Sequence, residues 1–493
     1  MRTITKLFVL LFCLLPAIVF AQGSIKMPVL YTDGMVLQRN KPIRIQGTTT
    51  PGEKVTVSIA NRHKETSTDV SGHWQVTLKA MPAGGPYQLN ITSGPDTLSF
   101  KDVMLGEVWL CSGQSNMAFS IGESAEKKEA LAHVNEKPIR LFNMKRNLRP
   151  SDSAWGTKTL EEANQLQLYT PTNWEKASVH NLSSFSAVGY AFGEMLADSL
   201  KDITIGLIAN AISGSPAEAW VGRSEIEKDT LLSKILNNWM ENPLIDSWCR
   251  KRGKNNLRKA TDPNQRHYFE PSYLFEAGVL SLAPYTMRGI IWYQGESNTH
   301  NPEMYEKLFP ALVRSWRNCW KEELPFYYVQ LTSINRPTWP HFRNLQRELM
   351  YRIPRTGMIV THDKGDSLDV HPKQKKEIGR RLAHWALNRE YKFSCLPSGP
   401  LYRSMKCKGN QAILTFDYAD GLTTTDHQPI RSFEVAGENG IFYPAQATIK
   451  KKRIILTSPK VDKICKVRYA WQPVTHANLI NREGLPASTF KAE

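Results

Sequence analysis

Gly106-Glu107-Val108-Trp109-Leu110-Cys111-Ser112-Gly113-Gln114-Ser115-Asn116-Met117 puts a serine directly behind a short apolar run. Val108 to Cys111 reads as a buried strand, and Gly113 opens the turn that leaves it. α/β folds expose a hydroxyl nucleophile at that place, on the turn after the carboxyl end of a strand. A full G-x-S-x-G elbow is absent, because Met117 occupies the position of its second glycine. Alone, Gly113-Gln114-Ser115 fits a plain loop better. Its company downstream gives it weight.

From about 104 to 392, apolar strands alternate with amphipathic helices. Beyond Val108–Cys111, strands are expected at Ile203–Ala209, Gly289–Tyr293, Phe326–Leu331 and Met358–Thr361, with helices over Ser186–Leu200 and Pro302–Trp316. Such alternation predicts an α/β class with a parallel sheet covered on both faces. Residues 221–280 are charged and aromatic without a clean period and are expected to form an insertion at the rim of the site. Before this region, residues 22–103 hold short alternating stretches such as Val55–Ile59 and Trp74–Leu78, split by Pro51-Gly52, Ser71-Gly72 and Gly84-Gly85-Pro86. After it, residues 393–493 show β patterns again, as in Gln411–Phe416 and Arg453–Thr457. Both flanks are expected to be sandwich-like β domains.

Arg2 and Lys6 precede an apolar run from Leu7 to Phe20, with small residues at its end. This is the pattern of a secretory signal peptide over residues 1–21, cleaved near Ala21, which implies a periplasmic or secreted protein. The run is too short for a comfortable membrane span, and no later stretch is long and apolar enough for one. The net charge of +17 invites a nucleic-acid partner. Export argues against that, and most of the basic residues are scattered. Six cysteines come after the leader, with no C-x-x-C pair that would suggest structural zinc. Cys111 is expected to be a buried free thiol.

Three further segments lie where doubly wound sheets keep their sites. Ser213-Gly214-Ser215-Pro216-Ala217-Glu218 comes after the strand ending near Asn210. Ser215 with Glu218 has capping-box spacing, and Pro216 suits the first helical position, so Gly214 would lie just before a helix N-terminus. An oxyanion is favoured there, and glycine allows close approach. Ile290 to Asn298 runs from a strand into Gly295-Glu296-Ser297-Asn298. Asn298 could point a neutral amide donor into the site, and Ser297 is a rival nucleophile on pattern alone. Asp369-Val370-His371-Pro372 opens an expected helix over Pro372–Leu387. Pro372 would put His371 at the N-cap, where the dipole keeps the imidazole neutral, while Asp369 orients the ring.

These four blocks, Gly113–Met117, Gly214–Trp220, Gln294–Asn298 and Asp369–Pro372, resemble those of SGNH (GDSL-like) hydrolases, and more narrowly the sialate O-acetylesterase family. The closing segments Val467–Trp471 and Asn481–Ser488 are similar to that family too. The resemblance implies an SGNH-type three-layer α/β/α domain over 104–392 between the two β domains. It also implies Ser115 as nucleophile, His371 as base, and the Ser115 N–H, Gly214 and Asn298 as oxyanion donors. Ser213 stands where the family often has a second glycine. Many SGNH enzymes place the acid three residues before the histidine, which is Leu368 here. Asp369 is therefore the choice, with Asp366 in reserve and a backbone carbonyl as a further alternative.

No cofactor is implied. A metallophosphoesterase built on Asp369-x-His371 with His362, Asp363 and Asp366 would need that motif early in the chain, with its other ligands after it. A different class again is a secreted glycan-binding protein with an inert centre. The expected activity is O-deacetylation of carbohydrate, with O-acetylated sialic acid ahead of acetylated plant polysaccharide such as xylan. Arg223 and Arg336 come shortly after site segments and are candidates to meet a sugar carboxylate. No feature of the chain fixes its oligomeric state.

Overall fold

The computed structural model describes residues 25–147 and 152–493. The expected leader, residues 1–21, lies outside the described residues. Six parallel strands make the centre: β1 (Asp96–Gly113), β2 (Ile139–Asn143), β3 (Ile205–Ala211), β4 (Gly289–Tyr293), β5 (Phe326–Val329) and β6 (Thr356–Ile359). They lie in the order β6-β5-β4-β1-β3-β2. Residues of β4 and β5 are buried throughout, as a parallel strand covered on both faces requires. The cover comes from helices α1 (Ala187–Leu200), α3 (Pro302–Trp320), α4 (Trp339–Arg352) and α5 (Lys376–Arg389), while α2 (Ser247–Leu257) packs over the turn at Gly214. Local chemistry sets their starts. Ser186 caps α1 by accepting from the Gly189 N–H, and Asn301 caps α3 by accepting from Met304 with Pro302 next in line.

Strand order reverses about β1, because the chain first places β2 and then β3 on one side, β3 slotting between β1 and β2, and afterwards builds outward on the other side through β4, β5 and β6. The carboxyl ends of β3, β1 and β4 are therefore neighbours at a topological switch point, where such sheets bind ligands.

β1 is long enough to serve two regions. Its first half pairs with Gly84–Ser93 and Val36–Gln38, and its second half is the middle of the central sheet. Position 103–104 thus falls within one continuous strand. Apolar residues from Leu30 to Leu401 form a single core, whereas Leu414, Phe433, Ile454, Val467 and Phe490 belong to a second. Around that second core Gln411–Asp417 and Arg453–Thr457 pair antiparallel, with Ala412 opposite Leu456. The whole is a mixed α/β fold with a central mixed sheet and several separate β-sheets.

At the foot of β1, Glu107 is fully buried. Its carboxylate accepts from Arg39 Nε at 2.6 Å, Arg288 Nε at 2.9 Å and Gln38 Nε2 at 2.9 Å. This cluster ties the N-terminal segment to the strand that carries the serine turn.

Two elements differ from expectation. β2 is absent from the expected strands, because Arg140 interrupts its apolar run. In the fold that guanidinium is satisfied by the carbonyls of Gly34 and Asp102 and by the Asp102 carboxylate at 2.8 Å. The helix expected at Pro372 begins only at Lys376. Residues 373–375 instead bond to their surroundings, with Lys373 O accepting from the Ala125 N–H and the Lys375 N–H donating to Glu126. All six described cysteines are free, with Cys111 buried. Among the described residues no helix is long and apolar enough to cross a membrane.

Candidate active site

Gly113 ends β1 at φ +140°, and a Cβ there would sit 2.1 Å from the Tyr293 carbonyl oxygen. Only glycine lets β1 and β4 run this close where the turn begins. The chain then enters a four-residue helix, Ser115–Ala118. Ser115 is its first residue, so its N–H has no partner within the helix. Ser115 Oγ lies 2.8 Å from His371 Nε2. Of the two serines that pattern alone offers, this one meets the imidazole. Ser297 Oγ instead donates to Gly214 O at 3.2 Å and knits two of the blocks together.

His371 arrives from the other side, on the loop between β6 and α5. Its ring is half-buried and stacks near Phe119, with centroids 6.4 Å apart. The dipole expected to keep it neutral is missing, because α5 starts five residues later. Burial does the same work. It holds the imidazole below its ordinary pKa, with the Lys375 cation assisting and Asp369 and Glu123 opposing.

Asp369 Oδ1 accepts the His371 backbone N–H at 2.8 Å and stands 3.4 Å from Nδ1. It shapes the turn and is an electrostatic neighbour of the ring. Asp366 sits one step further back, accepting from the Leu368 N–H at 2.7 Å.

The oxyanion candidates are built differently from expectation. Gly214 adopts φ +75°. Beyond it the chain forms a 3-10 helix of four residues, Ala217–Trp220, with Pro216 as its N-cap and no side-chain cap. The capping box fails because tertiary partners take both members. Ser215 Oγ accepts from Trp220 Nε1 at 2.8 Å, and Glu218 accepts from Asn298 Nδ2 at 2.8 Å. Asn298 is correspondingly fixed. Its Oδ1 receives the Ala217 N–H at 2.9 Å and Gln294 Nε2 at 2.7 Å, which determines the amide orientation. One Nδ2 hydrogen is committed to Glu218, and the second remains to donate. Burial drives the Glu218 carboxyl up to about 7.

Three residues with no expected role complete the site. Asn116 Nδ2 donates to the Val370 carbonyl at 2.9 Å and to Glu296 Oε1 at 2.5 Å, while its Oδ1 accepts from Lys375 Nζ at 2.5 Å. Asn116 thus ties the serine turn to the residue before His371. Lys375 is buried, faces the Phe119 ring at 4.6 Å, and is lowered to about 7 by burial. Burial raises the Glu296 carboxyl, whose Oε2 has no hydrogen-bond partner among the described residues. Asn116 and Glu296 lie inside the four blocks, and Lys375 lies four residues after His371.

The residues of the metal alternative are engaged elsewhere. Asp363 takes Arg381 in a bidentate pair, with both contacts at 2.7 Å, and His362 Nε2 faces the Ala487 carbonyl at 2.9 Å. Arg336 is exposed, with its guanidinium 5.3 Å from the Trp339 ring centroid. Arg223 begins a short helix, Arg223–Glu227, beside a cleft lined by Trp239 and Glu270.

A serine at a strand-end turn, an imidazole in hydrogen-bonding reach and free N–H donors at neighbouring strand ends suit acyl transfer. The chain is 27% identical to mouse sialate O-acetylesterase over 90% of its own length and 88% of the relative's. Against the human sialate O-acetylesterase the identity is 28%, over 78% and 75%. A crystal structure of a carbohydrate acetylesterase from Xanthomonas citri superposes with TM-score 0.78 at 30% identity, covering 95% of this chain and 99% of that one. The family described as carbohydrate esterase, sialic acid-specific acetylesterase, matches residues 105–242 and 263–388. The chain belongs to that carbohydrate esterase family, and it is a carboxylic ester hydrolase.

Proposed function

We propose that the protein is a serine esterase that removes O-acetyl groups from carbohydrate, with O-acetylated sialic acid as its leading substrate. The contact of 2.8 Å between Ser115 Oγ and His371 Nε2 carries this proposal. His371 takes the Ser115 proton as Oγ attacks the acetyl carbonyl. The oxyanion is received by the N–H groups of Ser115 and Gly214 and by Asn298 Nδ2. His371 then returns its proton to the departing sugar hydroxyl, leaving an acetyl-enzyme. Water, deprotonated by His371, hydrolyses that ester and restores the serine.

The sugar preference rests on likeness to the mammalian sialate O-acetylesterases. The Xanthomonas relative, described only as a carbohydrate acetylesterase, keeps acetylated xylooligosaccharide as the second reading. Acetate release from both sugars, and from p-nitrophenyl acetate as an activated ester, tests the proposal. Wild type should release acetate, and Ser115→Ala should lose roughly a thousandfold or more. Release surviving in Ser115→Ala would sink the serine mechanism, and equal or faster turnover of the xylan fragment would overturn the sialate preference. Export is proposed as well. The exported protein should begin near Gln22, and N-terminal sequencing showing Met1 retained would contradict this.

A further inference from the structure

Residues 221–280 are set apart by their composition, and the chemistry of acyl transfer does not use them. The family match stops at 242 and resumes at 263. The gap carries α2, Ser247–Leu257, capped by Asp246 through the Trp248 N–H at 2.8 Å. α2 therefore lies outside the residues that the family pattern matches.

The place where α2 docks is informative. A Cβ built on Gly214 would lie 2.4 Å from a Trp248 ring atom and 3.3 Å from Phe269, so the indole rests directly on the glycine that offers an oxyanion donor. Trp248 packs on Phe269, with centroids 5.5 Å apart, and Arg252 sits over its ring at 5.0 Å. Arg252 is itself held by Asp152 at 2.8 Å. Further ties fix the insertion to the Asn298 block. Asp246 lies 3.5 Å from His300 Nδ1, and His300 Nε2 meets the Leu244 carbonyl at 3.1 Å.

Supported in this way, Trp248 still leaves 45% of its surface open. Large aromatic side chains are normally spent on burial, and one held rigid at the lip of a site is a ready contact surface. The carbon-bound hydrogens of a pyranose ring offer a flat apolar face that suits an exposed indole.

We infer that Trp248 is a sugar-binding platform, a specificity element that holds the pyranose ring of the acetylated carbohydrate beside Gly214. This rests on the acetylesterase proposal above and adds the subsite for the part of the substrate that does not react.

The test separates the two parts of the substrate. Trp248→Ala and Trp248→Phe are compared with wild type on p-nitrophenyl acetate, which has no sugar, and on O-acetylated sialic acid or acetylated xylooligosaccharide, whichever wild type hydrolyses. Trp248→Ala should raise KM for the sugar ester about tenfold with kcat held, and leave the p-nitrophenyl ester within about twofold. Trp248→Phe should restore most of the sugar affinity. Equal losses on both esters would assign Trp248 a scaffold role and overturn the inference, as would unchanged kinetics on the sugar. A wild type that hydrolyses neither ester would defeat the acetylesterase proposal itself, a result distinct from either of these.

Discussion

At the foot of the central sheet Glu107 is buried against Arg39, Arg288 and Gln38. At the top, Glu218 and Glu296 are buried to nearly the same degree, but against the amides of Asn298 and Asn116. Burial raises a carboxyl in every case. Two guanidinium groups overcome it at the foot, so Glu107 lies below its ordinary pKa, while neutral amides cannot, so Glu218 and Glu296 lie above. At the foot the buried carboxylate is fully paired, and the cluster serves stability. The top keeps charges short of partners and groups that titrate near neutrality, which is where function is expected.

Breaking the foot should have the largest effect. Glu107→Ala would strand two arginines and should cost about 3–5 kcal/mol in urea unfolding at pH 7. A loss below about 1 kcal/mol would mean the cluster does not tie the N-terminal segment to β1. The sign is that of a depressed carboxyl: its stabilisation is complete above the unfolded-state pKa and fades as pH falls through the folded one.

Glu218 carries the opposite sign. Its carboxyl is raised to about 7, so its penalty builds as pH rises from the unfolded value towards 7 and is full above that. Glu218→Gln keeps an acceptor for Asn298 and removes the charge. Relative to wild type it should gain on the order of 3 kcal/mol in passing from pH 5 to pH 8. A difference that does not change between those two pH values would show that Glu218 titrates normally in the fold.

The contrast also explains what could be read from the chain alone. β1, β3, β4, β5 and β6 were legible because buried parallel strands are short apolar runs. Ser115, Gly214 and Asn298 were legible as candidates because each comes shortly after such a run, and His371 because it stands in an Asp-x-His-Pro segment beyond one. Glu218 was visible only as a capping residue, since Ser-x-x-Glu spacing is a local pattern and its real partners, Asn298 for Glu218 and Trp220 for Ser215, come from folding. His371 before Pro372 looked like an N-cap for the same reason. Lys375 gave no signal at all. A lysine near a helix start reads as solvated, and nothing local reveals that Asn116, Phe119 and Glu296 enclose it.

Lys375 and Asp369 face His371 with opposite charges, so they sharpen the comparison at the top of the sheet. Below pH 7 Lys375 is largely protonated and opposes a second cation on the imidazole. Lys375→Met should raise the His371 pKa and move the acid limb of kcat/KM upward by about one pH unit.

Asp369→Asn should do less, and in the other direction. Asparagine can still accept the His371 backbone N–H, so the turn survives. The carboxylate it replaces is 55% exposed and 3.4 Å from Nδ1, too open to water and too long to stabilise imidazolium strongly. Activity should fall by about tenfold at most, and the acid limb should shift slightly downward. A loss near ten-thousandfold would instead give Asp369 the full orienting role of a buried triad acid. If both variants moved the limb the same way, these two charges would not be what sets the imidazole.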